Sequence, residues 1–462
     1  MNSSPETPGS YRKFDTEQVG RFECHTNVIG VLMVCLGMGV AGCDSSKTAV
    51  DTGIARSCSD VEASTVWDAG ILRHDRPGCA SVELSAELIG TDDLSVDFVA
   101  LDGGWQPQIS TETGGRFEGL ILSGPYNQSG SKAPVLWRQG YQSWSYSGVT
   151  ALDTLDVDDL GVPIIGGDGD AVAVKDERAG TSWWVGAVGR EDGESLLLGI
   201  LGALKTRFFV AVDAHHVWAV WGHRGDDIAL EAGETIVLDP LWIDSGADVN
   251  ALHQAYADAA SRRVPARSLD ERPPSGWATW YHFFEDISET DVRDNLDFAA
   301  AMDVEDSDSQ LEVFQIDDGW QRVWGDWQAG DDFPSGMPSI AEDIAAAGFT
   351  PGLWMAPFYV DRSTDVYRSN PDWWVQKPGG EDEIGFSNLN TGDYAVLDVT
   401  HPDAAAWLST EIASKVAQGW TYLKLDFLYA GAQVGDRYAD VTGIEAFHAG
   451  MQIIRDAAGD AW

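Results

Sequence analysis

Two adjacent carboxylates, Asp317 and Asp318, follow a short apolar run and are the first candidates for chemistry. The run Val313–Ile316, bounded downstream by Gly319, is typical of a buried strand in a parallel sheet. Three tryptophans follow within nine positions. Because carboxylates accept hydrogen bonds from hydroxyl groups and indole faces stack on C–H faces, this stretch is typical of a sugar site. The alternative is that one aspartate only caps a turn or the next helix.

Lys424 and Asp426 are the second candidates. They lie two positions apart in the apolar run 421–427, and residues at that spacing on a strand share one face. The ammonium group would keep the carboxylate ionised, as a nucleophile requires. The chain has only eight lysines, so one inside an apolar strand is notable. A purely structural ion pair is the alternative.

The elements that must position these residues alternate between strand and helix from Gly276 onward. Strands are predicted at 277–282, 313–316, 350–356 and 421–427, and helices at 288–302, 338–347, 402–418 and 443–458. Four such units in series predict a parallel α/β domain, with a (β/α)8 TIM-type barrel as the expected host. Catalytic groups of a barrel lie at the C-terminal ends of its strands, which here adds His282 and Trp354 to the candidates.

The preceding region has a different rhythm. Short alternating or apolar runs separated by glycine and aspartate, such as 95–101 and 216–221, predict an all-β sandwich. A helix predicted at 248–263 and the prolines that follow it end this region. The predicted organisation is a signal peptide at 1–43, a tether at 44–65, a β-sandwich domain with a terminal helix at 66–265, and the first half of the barrel at 266–462.

The N-terminal segment carries an export pattern. The uncharged run Val28–Ala41 is too short to span a bilayer as a helix and matches the core of a signal peptide. It ends at Cys43 in a sequence that resembles a bacterial lipoprotein cleavage box, which predicts lipidation of Cys43 and anchoring at the cell envelope, periplasmic or at the outer surface. Cys58 and Cys79 would then form a disulfide in an oxidising compartment. A buried N-terminal helix is the alternative.

The overall charge limits the partners. The chain of 462 residues has 29 basic and 74 acidic residues and a formal charge of −45. Such a surface repels phosphate backbones and anionic lipid, so nucleic acid is not expected as a partner, and the only membrane contact expected is the lipid anchor. The twenty tryptophans suit either a glycan-handling surface or a large aromatic core.

Seven motifs, taken together and in order, resemble the family 36 glycoside hydrolases, the melibiase-like α-galactosidases. Six of them fall within about 115 residues, an ordered set that is far more specific than any one of them. The motifs are Gly140–Ser145, Asp317–Trp320, Gly325–Trp327, Phe333–Met337, Gly352–Pro357, Leu397–Pro402 and Lys424–Phe427.

The resemblance implies hydrolysis of terminal, non-reducing α-galactosyl residues with retention, without a metal or an organic cofactor. It implies Asp426 as the nucleophile. It also implies five substrate-binding residues, namely Asp317 and Asp318 for the 4- and 6-hydroxyl groups, Lys424 for a hydroxyl group, Trp354 as a pocket wall and Trp144 as a lid.

The acid/base of the family is expected beyond Trp462, so the chain is expected to be a truncated gene product or one part of a split gene. No downstream aspartate is given that role. Four alternatives stay open: a galactosyl transferase of the raffinose-synthase kind, a hydrolase for an N-acetylated galactoside, a non-catalytic galactoside-binding lipoprotein, and an inactive fragment. The expected partner is an α-galactoside oligosaccharide, with its length, its aglycone and the oligomeric state of the protein left open.

Overall fold

The computed structural model describes most of the chain after residue 61. The described residues are 62–128, 130–141, 146–152, 180–222, 226–265, 273–302, 311–380, 385–388 and 392–461. The predicted signal peptide, Cys43, Cys58 and Trp144 lie outside these ranges. Cys79 is disulfide-bonded. The predicted domain boundary at 265/266 adjoins residues 266–272, which also lie outside them, and stays a prediction.

The region before residue 247 is built from antiparallel strands. Those described are β1 (Ser64–Asp68), β2 (Ile71–Asp75), β3 (Ser81–Gly90), β4 (Ser95–Leu101), β5 (Gly104–Ser110), β6 (Gly115–Asn127), β7 (Pro134–Arg138), β8 (Gly148–Ala151), β9 (Gly180–Trp183), β10 (Val185–Arg190), β11 (Ser195–Ile200), β12 (Phe208–Val212), β13 (His216–Gly222), β14 (Ile228–Leu230), β15 (Thr235–Val237) and β16 (Leu241–Gly246). One sheet has the order β1-β2-β3-β6-β13-β12-β9, with β14 also on β6. The other has the order β15-β5-β16-β11-β10-β7-β8, with β4 also on β5.

The two sheets share one apolar core. Leu84, Phe117 and Trp221 from the first sheet and Leu198 and Ile243 from the second belong to the same buried cluster. The alternation of buried and exposed positions along the strands supplies this core, as period-two patterns do. The predicted β-rich N-terminal region is therefore confirmed, and the runs predicted at 95–101 and 216–221 are β4 and β13.

Helix α1 (Val249–Arg263) follows the second sheet and covers part of it. Its N-cap is Asp248, whose side chain accepts from the backbone N–H groups of the first turn. Leu252 and Tyr256 face the sheet, and the Tyr256 hydroxyl donates to Ile200 O at 2.7 Å.

The region from Gly276 alternates between strands and helices, and its strands form one four-stranded parallel sheet and two small antiparallel sheets. The strands are β17 (Gly276–Ala278), β18 (Val313–Ile316), β19 (Gln321–Val323), β20 (Asp326–Ala329), β21 (Thr350–Met355), β22 (Tyr359–Asp361), β23 (Gly385–Asn388), β24 (Gly392–Val396) and β25 (Tyr422–Leu425). The helices are α2 (Trp280–Phe283), α3 (Glu289–Ala301), α4 (Met337–Ala346), α5 (Asp365–Ser369), α6 (Pro402–Ala417) and α7 (Gly443–Ala458), with a 3-10 turn at Leu428–Ala432.

Four of these strands form one parallel sheet in the order β17-β18-β21-β25. Their pairing is in register, with Gln315 opposite Gly352 and Trp354 opposite Lys424. The C-terminal ends of all four strands therefore meet at one edge of the sheet, which brings together residues that are far apart in sequence. The parallel α/β arrangement predicted from the alternating pattern is confirmed.

One strand prediction is wrong. The predicted strand at 277–282 ends at Ala278, because Thr279 takes helical backbone angles (φ −68°, ψ −29°) and starts the short helix α2. His282 therefore lies in a helix, not at a strand end.

Local capping signals set the helix starts correctly. Ser288 and Asp291 form a reciprocal capping box on α3, and Thr442 and Glu445 form one on α7. Within the described ranges, no helix has the length and apolar character that a membrane crossing needs.

Candidate active site

Asp317 lies at the C-terminal end of β18 and is 2% exposed. Its Oδ2 accepts from Lys424 Nζ at 2.8 Å and from Gln315 Nε2 at 2.5 Å. Its backbone N–H donates to Thr279 Oγ1 at 2.9 Å, which ties it to the end of β17. The carboxylate is therefore buried but satisfied by a charged and a neutral donor.

Lys424 on β25 lies between two carboxylates. Its Nζ is 2.8 Å from Asp317 Oδ2 and 3.9 Å from Asp426 Oδ2. The side chains of Lys424 and Asp426 are 34% and 30% exposed, so both remain accessible from solvent. The ammonium group is thus shared, and its closer partner is Asp317.

Asp426 directly follows β25, and protein donors fix its carboxylate. Oδ2 accepts from Trp354 Nε1 at 3.1 Å, and Oδ1 accepts from the backbone N–H of Phe427 at 2.8 Å. Its own N–H donates to Met355 O at 2.8 Å, which extends the pairing of β25 with β21 by one residue. Phe427 has left-handed backbone angles (φ 52°, ψ 32°), which are uncommon for a non-glycine residue and concentrate at functional sites.

Asp318 is also buried, with only 4% of its surface exposed. Trp324 Nε1 donates to both of its oxygens at 3.1 and 3.2 Å. Oδ1 also accepts from Gly319 N at 3.0 Å and from Gln321 Nε2. Burial raises the pKa of Asp318, and these donors act in the opposite direction.

The turn after Asp318 requires glycine at position 319. Gly319 has φ +111°, and a Cβ there would lie 2.5 Å from Glu285 O. The segment after α2 therefore presses directly on this turn. Burial, followed by the charge of Asp318, raises the pKa of Glu285.

Tryptophans form a buried layer beneath these groups. The Trp320, Trp327 and Trp354 side chains are almost fully enclosed, and Trp320 stacks on Trp327 with ring centroids 6.2 Å apart. Trp324 lies 5.4 Å from Trp354, ring centroid to ring centroid. These indoles belong to the core, so the aromatic-core interpretation holds for them, although Trp324 and Trp354 also bind carboxylates.

Asp426 opens into a cavity of about 430 Å³. Apolar and aromatic residues of the β-rich region, the β25 segment and α7 line it, namely Tyr141, Trp184, Ala203, Leu425, Phe427, Leu428, Tyr429, Ala432, Ile444, Phe447 and His448, together with Asp426. Tyr141, which lines this cavity, is three positions before Trp144 in the sequence.

The structure brings Asp317, Asp318, Trp354, Lys424 and Asp426 to one edge of the sheet. Three further contributors were not predicted: Gln315 and Thr279, which bind Asp317, and Trp324, which binds Asp318. A sequence signal existed for Gln315, because a glutamine inside an apolar strand two positions before Asp317 shares its face. Among the described residues, no cluster of histidine, cysteine and acidic side chains is arranged to hold a metal ion.

Comparison with known proteins gives a consistent set of matches. The family model of the melibiases matches residues 241–453. α-Galactosidase AgaA of Geobacillus stearothermophilus is 24% identical over 217 residues, which are 45% of this chain and 28% of that protein. The α-galactosidase of Escherichia coli is 25% identical over 186 residues, 38% of this chain and 24% of that protein.

Among solved structures, TtGalA, an α-galactosidase from Thermus thermophilus in complex with stachyose, superimposes with a TM-score of 0.57 and 27% identity. The match covers 80% of this chain and 73% of the Thermus chain. By contrast, the matched segments span only about a quarter of the Geobacillus and Escherichia proteins.

Proposed function

Because this chain is an α-galactosidase-like protein of glycoside hydrolase family 36, we propose that it hydrolyses terminal, non-reducing α-galactosyl residues with retention. One observation supports this proposal: Lys424 Nζ lies within 4 Å of a carboxylate oxygen of both Asp317 and Asp426, at the ends of parallel strands. Asp426, the more accessible of the two carboxylates, is the proposed nucleophile.

In the proposed reaction, a carboxylate oxygen of Asp426 attacks the anomeric carbon as the bond to the aglycone oxygen breaks. A second carboxyl group, about 5 Å from the first in retaining enzymes, protonates the leaving oxygen. A water molecule then gives a proton back to that group and attacks the anomeric carbon, which releases galactose and the Asp426 carboxylate. The Trp354 and Phe427 N–H groups hold Asp426 in one orientation for this attack.

The buried carboxylates supply the proposed sugar contacts. Asp317 and Asp318 accept hydrogen bonds from the 4- and 6-hydroxyl groups, and Lys424 donates to a hydroxyl oxygen. Trp354 forms a wall of the pocket and Trp144 forms a lid. The Thermus relative was solved with stachyose, and we propose α-galactoside oligosaccharides as the substrate class.

We give no described carboxyl group the acid/base role. Asp436 and Asp456 follow the nucleophile in sequence, but each accepts a structural hydrogen bond, from Gly379 N at 2.9 Å and from Gln452 Nε2 at 2.7 Å.

We further propose that the strands β17, β18, β21 and β25 are the first four of a (β/α)8 barrel. Their parallel order and intervening helices support this.

Hydrolysis of p-nitrophenyl α-D-galactopyranoside tests the function. Asp426→Asn should lower kcat by at least about 1,000-fold, because the nucleophile is lost, whereas Asp436→Asn serves as a control and should keep kcat. Proton NMR should detect the α-anomer of galactose first. Equal activity of Asp426→Asn and the unmodified chain would rule out the nucleophile. Galactose binding without turnover would favour a binding protein instead.

We propose, separately, that Cys43 is lipidated and anchors the exported chain at the cell envelope. The support is the apolar run Val28–Ala41 and the sequence Val40–Cys43. Cys43→Ser should move the protein from the membrane fraction to the soluble fraction. Unchanged partitioning would contradict the anchor.

A further inference from the structure

Lys415, in the last turn of α6, carries an ammonium group that the protein core encloses, since the residue is only 1% exposed. Its Nζ donates to Trp327 O at 2.6 Å and lies 3.5 Å from Glu411 Oε2, one turn earlier. Burial lowers the pKa of Lys415, and the charges of Glu411 and Asp326 act in the opposite direction. Burying a charge is unfavourable unless protein groups replace the water around it. These contacts therefore offset part of the cost of burying the Lys415 ammonium group.

The same ammonium group faces an indole ring. Nζ is 5.7 Å from the centroid of the Trp320 ring, within the range of a cation–π interaction. Trp320 is fully buried and stacks on Trp327. Lys415 therefore contacts both members of the stacked pair. It donates to the backbone carbonyl group of Trp327, and its ammonium group faces the ring of Trp320.

Two hydrogen bonds continue from the stacked pair to Asp426. Trp320 Nε1 donates to Trp354 O at 3.0 Å, and Trp354 Nε1 donates to Asp426 Oδ2 at 3.1 Å. The ring of Trp327 also packs edge-on against the ring of Trp354, with centroids 6.4 Å apart at an angle of 63°. Packed indoles and defined hydrogen bonds thus connect the buried Lys415 ammonium group with the half-buried Asp426 carboxylate.

We propose that Lys415 is a positioning residue for Asp426, acting through the stacked Trp320 and Trp327 and through Trp354. This inference rests on the proposed role of Asp426 as nucleophile. Without the ammonium group, Trp327 O loses its charged donor and the Trp320 ring loses its cation. The indoles then repack, and the Trp354 N–H moves relative to the carboxylate that it orients. A misplacement of about 1 Å at a reacting group can lower the rate on the order of 100-fold.

The Trp354 indole N–H reports on this contact without any turnover. In a nitrogen–proton correlation spectrum of the full chain, Trp354→Phe identifies its signal and Asp426→Asn identifies the effect of its acceptor. We expect Lys415→Met to shift the signal and Lys415→Arg to shift it less. Lys132→Met, which removes an exposed ammonium group, and Leu296→Ala, which opens a cavity in the same core, are the controls. An unmoved signal in Lys415→Met, or an equal shift in Leu296→Ala, overturns the proposal.

Kinetics with p-nitrophenyl α-D-galactopyranoside supply the second readout. Lys415→Met should lower kcat by about 10- to 100-fold and leave KM within about threefold, because the hydroxyl ligands stay in place. Lys415→Arg should restore part of kcat. Leu296→Ala should keep the kcat of the unmodified chain at temperatures at which this variant is still folded. Equal losses in Lys415→Met and Leu296→Ala contradict the positioning role. A chain without hydrolysis whose Trp354 signal still responds to Lys415→Met contradicts the proposed function and upholds the contact.

Discussion

Lys424 Nζ lies closer to Asp317 than to Asp426, the carboxylate two positions away in its own segment. The ion pair therefore links the ends of β18 and β25, which are separated in the sheet by β21. The Lys424 ammonium group is consequently in hydrogen-bond contact with the buried Asp317 carboxylate and only in longer-range contact with the half-buried Asp426 carboxylate. This arrangement is consistent with Asp317 as a fixed residue that binds sugar hydroxyl groups and with Asp426 as the group that reaches the anomeric carbon of the substrate.

Replacing this lysine tests the sugar-binding half of the site. Lys424→Met leaves the buried Asp317 carboxylate without its charged donor, at a cost of about 1.5–3 kcal/mol. The affinity for galactose should fall about 10- to 100-fold, measured by isothermal titration calorimetry. Lys132→Met removes an exposed ammonium group in the β-rich region and should keep the affinity. An unchanged affinity in Lys424→Met would remove Lys424 and Asp317 from the sugar site.

The Trp354 indole N–H has its own test. Trp354→Phe keeps an aromatic ring but removes the donor to the charged Asp426, which should lower kcat about 10- to 100-fold. Trp420→Phe is a matched control, because the buried Trp420 N–H has no hydrogen-bond partner within the described part of the chain. Steady-state kinetics with both variants compare the two losses. If both variants lose kcat equally, ring packing is responsible and the hydrogen bond is not.

Gly319 and Gly348 both have positive φ angles, but an added Cβ would clash with a neighbour only at Gly319. Comparing the two positions therefore separates the effect of backbone strain from that of a steric clash. Gly319 (φ +111°) has Glu285 O 2.5 Å from the position of an added Cβ, whereas Gly348 (φ +92°) has open space there. Gly348→Ala should cost about 1 kcal/mol from backbone strain alone. Gly319→Ala should cost more, because the turn beside Asp318 must also move. Thermal unfolding of both variants measures the two stability losses. Equal losses would show that the backbone at Glu285 can move away from an added Cβ at little cost.

The β-rich region should lose stability in mild acid through His74. Burial, followed by the charge of Arg76, lowers the pKa of His74 from 6.5 to about 4. Between these pH values the unfolded chain binds more protons than the folded chain, so the stability falls as the pH falls from 6.5 to 4. The difference corresponds to about 3 kcal/mol.

Urea unfolding at pH 7, 5 and 4 measures this dependence. Carboxyl groups also titrate in this range, so the comparison is with His74→Gln, which should show a smaller loss of stability between pH 7 and pH 4. Identical pH dependence in both proteins would mean that His74 is protonated in the fold, where Asp244 Oδ1 lies 3.8 Å from its Nε2.

Local signals predicted much of the scaffold. The helix predicted at 443–458 coincides with α7, and Asp317 and Asp318 do follow a buried strand. These features depend on capping residues, glycine positions and apolar periodicity, all of which are local properties of the chain. The wrong strand through His282 has a tertiary cause, since Thr279 turns out of β17 where its hydroxyl accepts the Asp317 N–H.

The partners within the site could not be predicted in the same way. Strand periodicity places Lys424 on the face of Asp426, but its closer partner, Asp317, is 107 positions away and two strands across the sheet. Sheet order decides such contacts, and a single sequence records it only indirectly. The hydrogen bond from Trp324 to Asp318 likewise cannot be predicted from apolar periodicity, because it depends on how the turn after β18 folds back.

Covalent trapping tests the central claim most directly. A 5-fluorogalactosyl fluoride of α-configuration has a leaving group that departs without protonation, so the measurement does not depend on the acid/base. Intact-mass and peptide analysis should find one galactosyl adduct on the peptide that carries Asp426, and none in Asp426→Asn. An adduct on another residue, or no adduct in a folded chain that binds galactose, would contradict the account.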